Sequence, residues 1–187
     1  MVLTVLAILV GAAIPSIDGV LKEREAREPI DQLAMMARDV RNRALAEDRP
    51  YQIVFTGEGF QATRFFNPYG GLEEFDQLKV QLDELARRRE MIEASEQRSG
   101  VEVVEGAVED IYYQSYEIDP SLDYSLLSMK ETDWVPLTSG GNFHRWIFQS
   151  SGMCDPLKIR MQSDNAFFEV EFHPLTAEIK DENSWVE

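Results

Sequence analysis

The sequence has few of the residues on which most catalytic sites depend. It contains one cysteine, Cys154, and two histidines, His144 and His173, among 187 residues. A single cysteine excludes an intrachain disulfide, and neither histidine belongs to a two-histidine helical metal pair or a cysteine-rich cluster. The sequence also lacks a phosphate-binding glycine loop, a dinucleotide fingerprint and a nucleophile elbow. We therefore predict no enzymatic activity and no catalytic residue.

Basic residues are also scarce. Lysine and arginine total 18 against 34 aspartates and glutamates, which gives a formal net charge of -16. Binding to phosphate backbones needs a basic surface, so nucleic acid is excluded as a partner. The chain is long enough for one domain with a helical stalk. Hydrophobic residues at 44% and aromatic residues at 10% are sufficient to fill a core.

Two further groups of residues contain side chains that can act as nucleophiles or metal ligands. Ser150-Ser151-Gly152 stands near Cys154, but nothing in the sequence places a base beside these residues, and a turn is the favoured interpretation. The pair Asp181-Glu182 offers the hard oxygen ligands that calcium prefers. Its spacing matches no calcium-binding loop, so we expect no cofactor and treat calcium as unsupported.

The first fifteen residues differ from the rest of the chain. Residues 1–14 contain no charge, Pro15 follows, and the next thirty or so residues keep a helical pattern while becoming strongly polar. This pattern predicts an apolar anchor, 1–15, joined to an amphipathic stalk, 16–48. Two alternatives remain: a cleavable signal peptide, although no basic region precedes the apolar run, and an ordinary buried helix, because the run is shorter than the roughly 20 residues that span a bilayer.

The segment from Leu3 to Pro15 resembles the amino-terminal helix of type IV pilins and of type II secretion pseudopilins. Pro15 matches the family's helix proline, and Gly11 to Ala13 match its run of small residues. The family's basic leader and its Phe-Thr-Leu-(Ile/Leu)-Glu start have no counterpart here, so we expect Met1 to lie a few residues inside the mature chain. The predicted filament-packing and membrane-packing residues are Leu3, Leu6, Ile8, Leu9, Val10, Gly11, Ala12, Ala13, Ile14 and Pro15.

This resemblance implies a structural function. A chain of the family is held in the bacterial inner membrane with its head in the periplasm, is processed by a prepilin peptidase, and then assembles with other pilin or pseudopilin subunits. We therefore expect a pilin-like subunit of a type IV pilus or a type II secretion pseudopilus, nearest to the H-type and FimT-like minor subunits. The alternative is a secreted or membrane-tethered, non-enzymatic domain that binds a protein or a carbohydrate.

The stalk has one apolar stripe at steps of three and four residues. We predict that this stripe packs on the head and that the charged positions opposite it remain in water. Pro29 interrupts the pattern, and Asp48-Arg49-Pro50 ends it. The predicted stalk-to-head packing residues are Ile30, Leu33, Ala37, Val40 and Ala44.

The sequence of the head, 49–187, predicts mainly β-structure. Residues 51–55 and 60–66 flank a Thr-Gly-Glu-Gly sequence and predict a hairpin, and residues 72–97 predict a helical insertion. Residues 157–161 alternate between apolar and polar side chains, which predicts a strand with one buried face. With residues 167–172 it forms a second predicted hairpin, and this region is similar to the carboxy-terminal sheet of H-type pseudopilins.

The middle of the head offers a candidate partner surface. Tyr112, Tyr113 and Tyr116 lie on a predicted strand, 111–118, and the aperiodic residues 119–133 predict a long loop with short elements. Half-buried cross-strand packing is the other interpretation of these tyrosines. The fold class predicted for the whole chain is α+β: a long N-terminal helix packed on an antiparallel β-sheet head, pilin-like, with a helical insertion.

Overall fold

The computed structural model describes four continuous parts of the chain, 27–65, 112–138, 142–163 and 166–186. It also describes residues 24, 71, 73, 76, 77, 80, 81, 84, 87, 88 and 91. The predicted anchor, 1–15, lies outside the described residues. Within the predicted helical insertion, the described positions from 73 to 91 are helical and exposed.

Helix α1, 27–47, has one apolar face. The residues predicted to pack the stalk on the head, Ile30, Leu33, Ala37, Val40 and Ala44, are each at most 1% exposed. They recur at steps of three and four residues, which places them on one side of the helix. The intervening positions Asp31, Arg38 and Asp39 are exposed. The helix therefore contributes one side to the core and leaves the other in solvent.

The C-terminus of α1 is closed by a left-handed residue. Asp48 has φ 49°, and the Arg49 amide donates to the Ala44 carbonyl over 3.2 Å. This is the hydrogen-bond pattern of a Schellman cap, which satisfies a carbonyl that the helix itself cannot pair. Pro50 follows and cannot continue the helix. The chain thus turns directly from α1 into the first strand.

The strands form two antiparallel sheets. Sheet A has the order β3-β2-β1-β6, and sheet B has the order β5-β4-β7-β8-β9. The strands are β1 Tyr51–Thr56, β2 Gly59–Arg64, β3 Tyr113–Glu117, β4 Asp123–Ser128, β5 Val135–Pro136, β6 His144–Phe148, β7 Leu157–Gln162, β8 Ala166–Phe172 and β9 Ile179–Val186.

The predicted hairpin at 51–66 is present as β1 and β2. Tyr51 pairs with Arg64 and Thr56 pairs with Gly59, so the connecting turn consists of Gly57 and Glu58. The second predicted hairpin is present as β7 and β8, with Arg160 opposite Glu169. Residues 119–133, predicted as a long loop with short elements, contain the six-residue strand β4, which pairs with both β5 and β7.

A single core lies between α1, one face of sheet A and the inner face of sheet B. Trp146 of β6 and Phe172 of β8 bring the two sheets into contact, with ring centroids 5.0 Å apart. The Tyr124 hydroxyl of β4 donates to the Gly59 carbonyl of β2 over 3.1 Å. Because burial of apolar surface contributes roughly 25 cal/mol per Å², this shared core is the main source of stability.

The predicted fold class is wrong. The described chain is mostly β, with one short continuous helix, 27–47, and two antiparallel sheets of four and five strands. A long N-terminal helix packed on one sheet is not what the structure shows. Alternating burial along β4, β7 and β8 gives sheet B its own apolar face, and a second sheet can then cover the core together with α1.

The membrane prediction is corrected as well. Among the residues that the structure describes, no helix is long and apolar enough to cross a membrane. This finding contradicts the predicted transmembrane helix and the predicted location in the inner membrane with a periplasmic head. The continuous part of α1 fails the requirement because charged residues recur along its exposed side.

We expect Gly59→Ala to destabilise the fold strongly. Gly59 has φ 149°, and a Cβ at this position would lie 2.1 Å from the Tyr116 carbonyl oxygen. Strain and overpacking together should lower the free energy of unfolding by at least about 3 kcal/mol. Urea denaturation followed by circular dichroism measures this loss. Gly71→Ala is the matched control, because a Cβ there would meet no atom within 4 Å; equal stability of the two variants would contradict the prediction.

Candidate functional site

A concavity of about 290 Å³ lies on the solvent face of sheet B. Strand alternation directs Tyr124, Ile159 and Met161 into the core, so Ser125 and Arg160 face outwards. The side chains around the concavity are mostly polar and come from β4, β5, β7 and the residues that follow β5. They include Asp123, Ser125, Pro136, Thr138, Arg160 and Gln162.

Arg160 is fixed within this face by three neighbours. Its Nη2 and Nε donate to Glu169 Oε2 over 2.8 and 3.3 Å. Its guanidinium carbon lies 4.1 Å from the centre of the Trp134 ring and 5.4 Å from that of Phe167. An ion pair that also stacks on aromatic rings has few alternative rotamers. The donor atoms of Arg160 are therefore held in a defined position.

The aromatic residues continue across the sheet. Phe167 of β8 and Trp185 of β9 lie opposite each other in register, with ring centroids 5.9 Å apart and an interplanar angle of 8°. Trp185 remains 45% exposed. Trp134, Arg160, Phe167 and Trp185 thus form a stack that extends from the residue before β5 to the edge strand β9. We call it the sheet B stack.

Hydrogen bonds attach α1 to the head on both sides of its exposed face. On one flank, Arg27 donates to Glu182 of β9 over 2.8 Å and Arg41 donates to the Leu175 carbonyl over 2.8 Å. On the other flank, the Tyr112 hydroxyl donates to Asp39 Oδ2 over 2.9 Å. The outward side between these flanks carries Met35, which is 54% exposed, whereas the side chain of Leu45 lies close to Gly152 of the head.

The three tyrosines proposed as a partner surface occupy different environments. Tyr112 lies under the Arg43 guanidinium, 4.2 Å from the ring centre, and its pKa is raised mainly by burial and then by the bond to Asp39. Tyr116 stacks on Phe60 with centroids 5.1 Å apart. Tyr113 is opposite Thr63 in register, on the other face of sheet A. The structure therefore does not bring the three side chains together on one exposed surface.

His144 lies beside the turn between β4 and β5. Its Nδ1 is 3.7 Å from Glu131 Oε1, and burial lowers its pKa while the Glu131 charge opposes that shift. Glu131 also accepts a 2.9 Å hydrogen bond from the Ser128 hydroxyl. These contacts fix a turn, and they bring no nucleophile next to the imidazole among the described residues.

Cys154 is part of the core. It is 6% exposed, and its Sγ lies 3.4 Å from the Pro174 carbonyl oxygen. Burial, followed by the nearby Asp155 charge, raises the pKa of the thiol to about 12. A thiol with this pKa is almost entirely protonated at neutral pH and is a poor nucleophile.

The described residues hold no cluster of three or more histidine, cysteine, aspartate or glutamate side chains that could bind a metal ion. Asp181 and Glu182 alternate on β9, and Glu182 is paired with Arg27. The two carboxylates therefore lie on opposite faces of the strand.

Comparisons of the chain with known protein families, curated proteins and solved structures gave no match. Its family therefore has to be argued from its own residues.

Sequence reasoning identified only part of the concavity. The alternation at 157–161 predicted that Arg160 and Gln162 face solvent. It gave no indication that Asp123 and Pro136 lie beside them, because residues 119–133 were predicted as a long loop with short elements. The signal that was present is the spacing of Leu122, Tyr124 and Leu126, all of which are buried.

We expect Cys154 to react with a thiol reagent only when the protein unfolds. At pH 8 the raised pKa leaves about a thousandfold less thiolate than an ordinary cysteine has, and burial blocks access as well. Labelling by dithionitrobenzoate should be slow in buffer and immediate in denaturant. Labelling of the native protein at the denatured rate would contradict the buried position.

Proposed function

We propose that this chain is a structural, non-enzymatic subunit of the pilin or pseudopilin type, which works by assembling with other subunits. Helix α1 and the apolar segment before it would form the assembly side. The two-sheet head would project from that side. The proposal rests on the two faces of α1, one of which is buried against the head while the other is exposed.

One side of α1 is buried against the head of the same subunit. The buried residues are at most 1% exposed: Ile30, Leu33, Ala37 and Val40. A hydrogen bond from Arg27 to Glu182 of β9 holds one flank of the helix, and a hydrogen bond from Tyr112 to Asp39 holds the other. Such a helix cannot rotate or detach without exposing its apolar stripe to water. It therefore presents a fixed outward surface, as assembly in a defined register requires.

The outward side of α1 combines an exposed hydrophobic residue with paired charges. Met35 is 54% exposed. On the same helix, Arg43 lies 3.7 Å from Asp39 and 3.8 Å from Glu47, so the charges are largely balanced along the helix. This balance contrasts with the net charge of -16 on the whole chain. A helix face with balanced charges and an exposed methionine supports contact between subunits that otherwise repel each other.

The sequence before α1 supports the same proposal. Residues 3–15 carry the resemblance to the pilin and pseudopilin helix, including Gly11 and Pro15. Small residues allow helices to approach closely, so this segment suits packing against the same segment of a neighbouring subunit. The proposed partners are accordingly other pilin or pseudopilin subunits, with a prepilin peptidase as the processing enzyme.

We expect Leu9→Asp to block assembly while leaving the head folded. A carboxylate in a packed apolar helix interface would be buried without a partner, which costs several kcal/mol. Assembly is measured in the producing cell by shearing off filaments and blotting for the subunit. Circular dichroism of the purified variant checks the fold. Filament incorporation at the wild-type level would refute the proposed function.

A second variant tests the outward side of α1. Met35→Lys places a charge at a position that is 54% exposed, so the free energy of unfolding should change by no more than about 0.5 kcal/mol. Subunit cross-linking in cells should nevertheless fall clearly, because the lysine would be desolvated at the interface. Met129→Lys is the matched control, since Met129 is 77% exposed at the turn after β4. If both variants cross-link like the wild type, this side of α1 is not an assembly surface.

A further inference from the structure

We propose that the concavity on the solvent face of sheet B binds a neutral saccharide. This site is separate from the assembly side of α1 and does not depend on the function proposed above. It is built by residues of β4, β5 and β7 that face outwards, with Arg160 and Asp123 on its wall.

The hydrogen-bonding groups of the concavity match those of a sugar. Each sugar hydroxyl both donates and accepts, so it needs partners of both kinds. Asp123 supplies a carboxylate that only accepts, and Arg160 supplies a guanidinium that only donates. The hydroxyl of Ser125 and the amide of Gln162 can do both, and the Thr138 hydroxyl, which donates to Asp123, can accept from a ligand. This mixture within one concavity of about 290 Å³ suits a short saccharide.

Two of these polar groups are already in place. Arg160 is held by Glu169 at 2.8 Å and stacks against Trp134 at 4.1 Å. Asp123 Oδ1 accepts a hydrogen bond from the Thr138 hydroxyl over 3.1 Å, which fixes the carboxylate and leaves its second oxygen available for a ligand. Polar groups that are ordered before binding lose little conformational entropy when a ligand arrives. An open, shallow site can therefore bind a polar molecule.

Charge selects against anionic ligands. The charge of Arg160 is compensated by its ion pair with Glu169, so Asp123 gives the wall a net negative charge. The whole chain adds a charge of -16. Phosphate, sulfate and carboxylate groups would be repelled. The mixture of donors and acceptors then favours a neutral, hydroxyl-rich molecule over an anionic one.

Pro136 supplies an apolar part of the wall of the concavity. Trp134 does not line the concavity, but it supports the lining residue Arg160 by stacking under its guanidinium. The C–H groups of a sugar ring carry partial positive charge and pack favourably against aromatic and aliphatic surfaces. The site thus combines a small apolar contact with several convergent polar groups, as ligand sites commonly do.

The first step of the test is to probe the purified chain with an array that carries neutral and sulfated or sialylated oligosaccharides. The strongest neutral ligand is then titrated by isothermal calorimetry, with tryptophan fluorescence as a second readout. We expect binding of a neutral glycan and no binding of the anionic ones. Asp123→Asn keeps the shape of the side chain and its bond to Thr138, yet it should weaken binding roughly tenfold through loss of a charged acceptor.

Two further variants complete the test. Gln162→Ala removes an exposed amide at the end of β7 and should also weaken binding. Asp181→Asn changes an exposed carboxylate on β9 of the same sheet, outside the concavity, and should bind like the wild type. The inference is overturned if no neutral glycan binds, if anionic glycans bind equally well, or if Asp123→Asn and Gln162→Ala bind like Asp181→Asn.

The outcome is independent of assembly. Met35→Lys should bind the glycan normally, because Met35 lies on α1 and does not line the concavity. Binding of the glycan by a chain that fails to assemble would support the saccharide site and leave the assembly proposal to its own experiment. A loss of glycan binding in Met35→Lys, with the fold intact, would contradict the separate site.

Discussion

The structure depends on the mutual burial of three surfaces, none of which could be covered alone. Helix α1 has a single apolar stripe, sheet B has alternating apolar residues on its inner face, and one face of sheet A carries Tyr51, Phe55 and Trp146. Each surface is apolar on one side, so each needs the other two to exclude water. The contact between Trp146 and Phe172 shows how closely the two sheets meet, with 5.0 Å between ring centroids. The outward face of sheet B is then free to carry polar residues such as Ser125 and Arg160.

Local patterns in the sequence were sufficient for several elements of the fold. The three- and four-residue spacing from Ile30 to Ala44 is that of the buried stripe of α1, and the two-residue alternation at 157–161 is that of β7. Gly57 and Glu58 form the turn between β1 and β2. These features depend on neighbours in sequence. The division into two sheets does not, because β1 pairs with β6 and β4 pairs with β7, and hydrophobic periodicity does not specify which strands pair.

The candidate site was harder to predict for the same reason. Arg160 could be assigned to the solvent face, but Trp134 and Asp123 reach it only through the pairing of β4 with β5 and β7. Residues 119–133 predicted only short elements within a loop, because Leu127 interrupts a simple alternation along β4. The tyrosines near 112 show a related limit. Their clustering in sequence suggested one surface, whereas strand geometry sends Tyr113 to the face opposite Tyr112 and Tyr116.

The ion pair between Arg27 and Glu182 joins residues that are 155 positions apart. As an exposed ion pair it contributes little to stability, but it shows that the first described helix is completed by the last strand. During synthesis, at roughly 5–20 residues per second, α1 would leave the ribosome on the order of ten seconds before β8 and β9 exist. The core that buries its apolar stripe would stay incomplete for that time, open to chaperones or to other chains. A fold with such distant pairings forms slowly, and a chain cut short before β8 would lack part of the core that covers α1.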